Sequence, residues 1–330
     1  MEKITRRKPL SSRQEPMLAP SDLLGMQFVP GKEYFPGLMS EKYNGVRGTT
    51  LKFSHNEPCQ WTSRRMEELQ MAEHIKHMFQ GILDWAEANQ VVLDGEFYAP
   101  SLNKVGPTMS VIRGTAPVPD DFCFMCFYAI PYSVWNRQGS GPPMAELISY
   151  SIPGLRFYKP VLQWTVDSWD HFKEITEETK NRNMEGYMLL DPHARYKHGR
   201  CTKGQGILMK FKYYSDPIDA RIWSISPMQA LQSGPLPRTR NAVGHLKKLH
   251  MKSAYEETEI GGSLQVQLED GKTAKIPFPK GTSHEMRARY LRDFGTGGEW
   301  DLKDTYVQFR RLSCEDGDGA IAVREVEFRD

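Results

Sequence analysis

The chain has 330 residues with 43 basic and 41 acidic side chains, for a formal net charge of +2. That length suggests two domains with buried cores, and the mild charge excludes a polycation held to nucleic acid by net charge alone, so local clustering must carry any such role. No run reaches the apolar length of a membrane span, and five scattered cysteines, an odd number, do not make a disulfide framework.

In chain order, MEKITRRKPLSSRQE is basic and lacks the apolar core of a signal peptide, so residues 1–15 read as a flexible basic arm. SEKYNGVRG, Ser40 to Gly48, is polar and turn-like around one lysine. Two readings of Lys42 stand there: a solvated side chain, or a nucleophile held on a tight loop. Leu69, Ala72, Ile75, Phe79, Ile82, Leu83 and Ala86 form an apolar stripe that predicts a helix from about Met66 to Ala88, with Gly81 as a possible break. VVLDGEFYA, Val91 to Ala99, reads as a strand. FCFMCFYAI, Phe122 to Ile130, reads as another, buried on both faces. Cys123 and Cys126 have CxxC spacing without a second pair, so they are expected to be reduced core thiols of a cytoplasmic protein. A second helix is predicted from Ser168 to about Lys180 with Asp167 as its N-cap. GYMLL (Gly186 to Leu190) and ILMKFKYY (Ile207 to Tyr214) add two strands, giving an α+β domain that ends near Tyr214.

YSDPIDA, Tyr214 to Ala220, reads as a linker. Beyond it, SLQVQLEDGKTAKIPF alternates Leu264, Val266, Leu268 with Ala274, Ile276, Phe278 around Asp270-Gly271, a hairpin signal. TYVQFRRLS and AVREVEF supply two more strands, and short antiparallel strands in this number fit an OB-fold barrel.

Several charges interrupt the apolar strands of the first domain: Glu96 in LDGEF, Glu185 in MEGYM, and Lys210 and Lys212 in LMKFK. Lys210 and Lys212 are two apart and share a strand face. Charges on a half-buried face are costly unless paired with each other or with a ligand. Singly, each fits an internal ion pair or a solvated edge. Taken together with Lys42 and Arg64, they fit a cleft for phosphates and a hard divalent ion.

These residues carry a resemblance. SEKYNGVRG resembles the K-x-D-G motif of ATP-dependent DNA ligases, RNA ligases and mRNA capping enzymes. TSRRMEE, LDGEF, FYAIP, EGYML and LMKFK resemble the later motifs of that superfamily in order, and PMLAP resembles the segment that often precedes the lysine. The likeness is nearest to the compact ATP-dependent DNA ligases of bacteriophages, in which K-Y-D-G-V-R-G, a Tyr-Ala-Ile motif and a Y-K-x-G-K segment recur, here KYNGVRG, FYAIP and YKHGR; REVEF near the C-terminus resembles the R-x-P-x-F ending of ligase OB domains, with Val326 in place of proline. The resemblance implies an α+β nucleotidyltransferase domain of antiparallel sheets with flanking helices over residues 16–214, followed by an all-β OB-fold DNA-binding domain over 215–330.

It also implies roles. Lys42 would attack the α-phosphate of ATP as the uncharged amine and form a lysyl-AMP adduct. Glu96 would serve the ribose or the metal (Mg²⁺ or Mn²⁺), Glu185 the metal, and Tyr128 would stack on adenine. Arg47 and Arg64 would contact phosphates, and Lys210 and Lys212 would neutralise charge on the α-phosphate in the transition state. AMP would then pass to a 5′-phosphate and be expelled by a 3′-hydroxyl, sealing nicked duplex DNA by in-line displacements. Two positions depart from the pattern. Asn44 replaces the usual aspartate, which admits a slow enzyme or a catalytically silent nick-binding protein. Ser40 stands where phage relatives often carry a glutamate that reads the adenine amine, leaving Ser40, neighbouring Glu41 and backbone carbonyls to read the base. An RNA ligase or a capping enzyme is the other reading. SGPLPRTRNAVGHLKKLHMKS holds Arg238, Arg240, Lys247, Lys248 and Lys252 and no acidic residue. It is either a solvated loop or a phosphate-tracking segment that, with Arg324, would make DNA binding salt-dependent. A monomer without membrane contact is expected.

Overall fold

The computed structural model describes residues 15–19, 33–52, 57–136, 141–179, 184–202, 204–231, 238–240, 246–248, 255–311, 319–320 and 323–329, with no side-chain description at 238–240, 246–248, 319–320 and 324. The chain divides into two compact units: Met1–Lys212 with Arg240–Lys247, and Tyr213–Thr239 with Lys248–Asp330. The expected N-terminal arm, through residue 14, lies outside the described residues.

The first unit opens with β1 (Gly37–Glu41), β2 (Val46–Leu51), β3 (Gln60–Thr62), α1 (Glu73–Ala88), β4 (Val91–Tyr98), α2 (Val105–Ile112) and β5 (Cys123–Pro131). It continues through α3 (Tyr132–Trp135), β6 (Tyr158–Pro160), β7 (Gln163–Val166), α4 (Trp169–Thr179), β8 (Gly186–Leu190) and β9 (Leu208–Lys212). Two sheets result, ordered β3-β2-β4-β5-β6 and β7-β1-β8-β9. One face of the five-stranded sheet joins the buried stripe of α1 (Ile75, Phe79, Ile82, Leu83 and Ala86) in an apolar core. Trp61, Phe79, Phe97 and Phe124 meet there edge to face or tilted, with Trp61 and Phe124 at 4.6 Å and Phe79 and Phe97 at 5.0 Å between ring centroids. Such pairs are each worth about 0.5–1.5 kcal/mol beyond their buried area.

Helix α1 starts at Glu73, later than the apolar stripe predicts. Met66 takes a positive φ of 57°, Ser63 N–H donates to Glu67 O and Leu69 N–H to Trp61 O, so Met66 and Leu69 are buried by a turn folding back along β3. Gly81 lies inside α1 without breaking it. The cap of α4 is Ser168 rather than Asp167: its Oγ accepts from His171 N–H at 3.1 Å.

β5 is not buried evenly on both faces; its residues alternate between buried and half-buried from Cys126 to Pro131. Asp94 pairs with Tyr128 and Gly95 with Cys126, so Phe127 is one extra residue on β5. This bulge sends Phe127 and Tyr128 into the same apolar cluster, on the sheet face opposite α1.

The second unit contains β10 (Ile218–Leu231), β13 (Tyr255–Gln267), β14 (Thr273–Ile276), α5 (His284–Asp293), β15 (Tyr306–Arg311), β16 (Gly319–Ala320) and β17 (Val323–Arg329). Between β10 and β13 run β11 (Arg238–Arg240) and β12 (Leu246–Lys248), paired with each other. The six-stranded sheet is ordered β16-β14-β13-β10-β15-β17. Its core is the alternating set read from the sequence, Leu264 and Val266 against Ala274 and Ile276, joined by Ala220, Ile222, Val307 and Phe309. The β13–β14 hairpin turns at Asp270-Gly271, with Gly271 at φ 80°. β10 begins inside the expected linker, pairing Ile218 with Phe309. Helix α5, which the sequence reading did not anticipate, is capped by Ser283 Oγ accepting from Met286 N–H at 3.2 Å. Among the described residues no helix is long and apolar enough to cross a membrane, and Cys59, Cys123, Cys126 and Cys201 are buried free thiols. Burial pushes the Cys126 thiol up to about 12, which keeps it protonated; Cys314 lies outside the described residues.

Candidate active site

The loop from β1 to β2 is fixed by its backbone. Lys42 N–H donates to Gly186 O at 2.8 Å, and Gly45 N–H donates to Glu96 Oε1 at 2.9 Å. Both glycines are required by space. A Cβ on Gly45 would land on the Phe97 carbonyl oxygen, and one on Gly186, at φ 141°, would land on the Phe211 carbonyl oxygen. Asn44 donates from Nδ2 to Asn103 O at 3.1 Å, so a neutral side chain anchors the loop where the related pattern has an acid.

That anchoring aims Lys42 at Glu185. The Glu185 side chain is 5% exposed and sits between two ammonium groups: Lys42 Nζ bonds its Oε2, and Lys212 Nζ lies 2.6 Å from its Oε1. β9 delivers Lys212 because Gly186 pairs with Lys212 in register, and Met188 with Lys210. The register continues across the sheet, Met188 opposite Ser40 and Ser40 opposite Gln163, so Gln163, Ser40, Met188 and Lys210 form one cross-strand row.

The five-stranded sheet supplies the other groups. Arg47 and Glu96 are register partners. Arg47 donates from Nε and Nη2 to the two oxygens of the fully buried Asp94, both at 2.7 Å, and its guanidinium carbon lies 4.9 Å from the Phe127 ring centroid. Tyr196 O–H donates to Asp94 Oδ2 at 3.0 Å and accepts from Met17 N–H at 3.0 Å, which ties the PMLAP segment to the site. Burial opposes the charge on Arg47, but Asp94 outweighs it and raises the guanidinium above its ordinary value. Burial raises the Glu96 carboxyl, Lys42, Arg47 and the Gly45 N–H oppose the rise, and Glu185 adds to it. Arg64 is held below its ordinary value by burial and by Arg200 and Arg47 nearby.

These groups enclose a cleft of about 540 Å³. Every nucleotide-site residue read from the sequence lines it: Ser40, Glu41, Lys42, Arg47, Arg64, Glu96, Tyr128, Glu185, Lys210 and Lys212. Phe127, Gln163, Arg200 and Met17 line it as well and were not singled out. For Phe127 the missing signal is the bulge, which no local pattern betrays. Gln163 sits on a four-residue strand with no motif. Tyr128 is only 5% exposed, with its ring edge-on to Tyr196 at 6.0 Å, whereas Phe127 is half-buried. Arg47 is committed largely to Asp94, a pair that holds the sheet together. The side chains of Arg238, Arg240, Lys247, Lys248 and Arg324, and all of Lys252, lie outside the described residues. Among the described residues no cluster of three or more His, Cys, Asp or Glu could hold a metal.

No family model and no curated protein matches the sequence. Solved structures do match. The structures named Pmar-Lig_Pre. and Pmar-Lig_PreS3 superpose with TM-scores of 0.63 and 0.60, each at 17% identity over 96% of this chain and 67% of theirs. A structure from a study of Lig E DNA ligases superposes with a TM-score of 0.54 at 17% identity, covering 94% of this chain and 98% of its own. The chain therefore shares its fold with these structures, a mixed α+β unit of antiparallel sheets with flanking helices followed by a mostly β unit, as in compact DNA ligases.

Proposed function

We propose that the protein is an ATP-dependent DNA ligase that seals nicks in duplex DNA through a covalent adduct on Lys42. The observation that carries this reading is the Lys42–Glu185–Lys212 cluster in a cleft also lined by Glu96, Lys210 and Arg64. A dry carboxylate held between two lysines is an expensive arrangement, and a triphosphate is the ligand that uses it. Lys42 Nζ attacks the α-phosphorus, an N–P bond forms, and the P–O bond to pyrophosphate breaks. Glu185 Oε2, in contact with Nζ, is the acceptor for the proton that the amine sheds. Lys210 and Lys212 offset the charge gathering on the phosphorane oxygens, and Arg64 and Arg200 at the cleft receive the remaining phosphates. Phe127 offers the more accessible ring face to the base, with Tyr128 packed beneath the same cluster.

A divalent cation fits the donor set, because Mg²⁺ is commonly bound by one or two carboxylates together with substrate phosphates. Glu185 and Glu96 would hold it, and when bound it would neutralise phosphate charge. AMP then passes to a 5′-phosphate and is released by attack of a 3′-hydroxyl. The basic segment with Arg238, Arg240, Lys247, Lys248 and Lys252, and Arg324 on β17, would track the duplex around the nick. The protein would act as a cytoplasmic monomer.

Incubation with labelled ATP or GTP, then chase with nicked DNA or nicked RNA, tests this. An AMP adduct lost in Lys42→Ala and discharged onto nicked DNA is expected. Transfer only from GTP, or only to RNA, would favour a capping enzyme or an RNA ligase. An absent adduct would leave a silent nick-binding protein, the reading that Asn44 admits.

A further inference from the structure

The loop that carries Lys42 is tied to its surroundings at three successive points. Lys42 N–H donates to Gly186 O, Gly45 N–H to Glu96 Oε1, and between them Asn44 Nδ2 donates to Asn103 O at 3.1 Å. That carbonyl belongs to the turn between β4 and α2, which is fixed by bonds of its own. Leu102 and Asn103 N–H both donate to Ala99 O, at 3.0 and 2.9 Å, and Asn103 takes a positive φ of 41°. Ser101 donates from its N–H and its Oγ to the two oxygens of Asp121, both at 2.7 Å. Tyr98 O–H donates to Asn103 Oδ1 at 3.3 Å, and the Tyr98 ring lies 4.9 Å from that of Tyr43, the residue before Asn44. The Asn103 carbonyl therefore meets residue 44 from a rigid mount. A carbonyl oxygen can only accept; an amide can donate to it, whereas an ionised carboxylate is itself acceptor-only. The surroundings are already acidic, since Glu41, Glu96 and Glu185 line the same cleft as Asn44. Burial and then Glu41 raise the Tyr43 phenol above its ordinary value, and Glu185 adds to the rise at Glu96. One more carboxylate on this loop would meet like charge in a partly desolvated place.

We propose that Asn44 is a positioning residue required in this chain as the amide: its bond to Asn103 O ties the Lys42 loop to the β4–α2 turn, and aspartate, the residue of the related pattern, cannot take its place. The link to catalysis rests on the ligase reading of Lys42. Asn44 acts through that lysine, by keeping its amine on line with the α-phosphorus. It sets the aim of the nucleophile and not the hold on the triphosphate, so its loss is felt in kcat and not in KM. The departure from the pattern at residue 44 is then an adaptation to the carbonyl facing it, and restoring the pattern slows the enzyme.

The test measures AMP-adduct formation from ATP by the wild type, Asn44→Asp and Asn44→Ala, with thermal melting to confirm the fold of each. Amide hydrogen exchange over residues 42–46 and 99–104 reads the tie itself, without ATP. In both variants kcat is expected to fall about tenfold with KM for ATP little changed, and exchange to rise in both segments. Asn44→Asp is expected to be no faster than Asn44→Ala, which removes the tie without adding charge and tests the idea even if Asn44→Asp does not fold. A folded Asn44→Asp that matches or exceeds the wild type overturns the assignment, as does a loss carried by KM alone. An adduct on the wild type with exchange unchanged in both variants overturns it too and leaves the ligase reading standing. An adduct on Asn44→Asp but not on the wild type overturns it outright. If none of the three proteins forms an adduct, the ligase reading itself fails and this proposal with it.

Discussion

The two units use charge in opposite ways. In the first, carboxylates are buried beside the cleft: Glu185, 5% exposed, lines it between Lys42 and Lys212, and the fully buried Asp94 holds Arg47, which lines it. Among the described residues of the second, the ion pairs are exposed or half-exposed, such as Glu285 and Arg289 one turn apart on α5, with side chains 76% and 42% exposed. The core of the second unit is apolar, built by alternation along β10, β13, β14 and β15. Burying charge destabilises a fold unless the geometry repays it. The contrast therefore marks the first unit as the place where the fold bears the cost of buried charge, which is what the proposed chemistry at Lys42 needs.

The largest expected effect breaks that contrast at its centre. Glu185→Ala leaves Lys42 and Lys212 without their shared carboxylate and should destabilise the protein by about 3 kcal/mol or more in chemical denaturation, besides abolishing nucleotide transfer. The matching surface change, Glu285→Ala, should cost only about 0.3–0.5 kcal/mol. Equal losses would erase the distinction.

Next come two glycines. Gly45→Ala forces a methyl onto the Phe97 carbonyl between β2 and β4. It should lower stability by about 1–3 kcal/mol and move Lys42 off its line. Gly271→Ala, at φ 80° in open space, meets only backbone strain of about 1 kcal/mol. The denaturation midpoints rank the two, and activity should fall only for the first.

The third effect is a difference of sign with pH. Burial raises Glu96 in the folded state. The folded protein then binds the proton more tightly than the unfolded one, so this group's contribution is present below the ordinary carboxylate pKa and is lost as pH rises through the folded value. Glu96→Gln should therefore stabilise the nucleotide-free protein at neutral pH, with the gain vanishing in acid. Asp301 is lowered by the backbone N–H groups of Gly295, Lys303 and Gly297. Its stabilisation is present above the ordinary value and is lost as pH falls through the depressed folded value. Asp301→Asn should destabilise at neutral pH and not in strong acid. Melting temperatures across pH for both variants check the two signs. The smallest effect on the protein itself is expected from charge reversal at Lys247 and Lys248, which should weaken DNA binding and flatten its salt dependence while leaving self-adenylylation intact. Unchanged binding at physiological salt would remove that segment from the interface.

The gathering of charge in the first unit was legible because charges at strand spacing are anomalous. Glu96, Glu185, Lys210 and Lys212 each interrupt an apolar run, and all line the cleft with Lys42. What the sequence hid is what depends on register. Phe127 shares a face with Tyr128 because of one extra residue on β5. Gln163 joins the cleft lining through its register with Ser40 on β1, not through its neighbours in the chain. Asp94, inside the same LDGEF motif as Glu96, drew no attention, yet it fixes Arg47 and Tyr196. In the second unit the hairpin around Gly271 was plain from alternation. Helix α5 went unread because HEMRARYLRD has few apolar residues and no buried side chain to give it a stripe, although Ser283 followed by Glu285 is a cap signal.

The most direct test is the intact mass of the purified protein after incubation with ATP and Mg²⁺. A gain of one AMP that is absent from Lys42→Ala and reversed by pyrophosphate is the predicted result. A wild-type mass that never changes, or the same gain in Lys42→Ala, would contradict it.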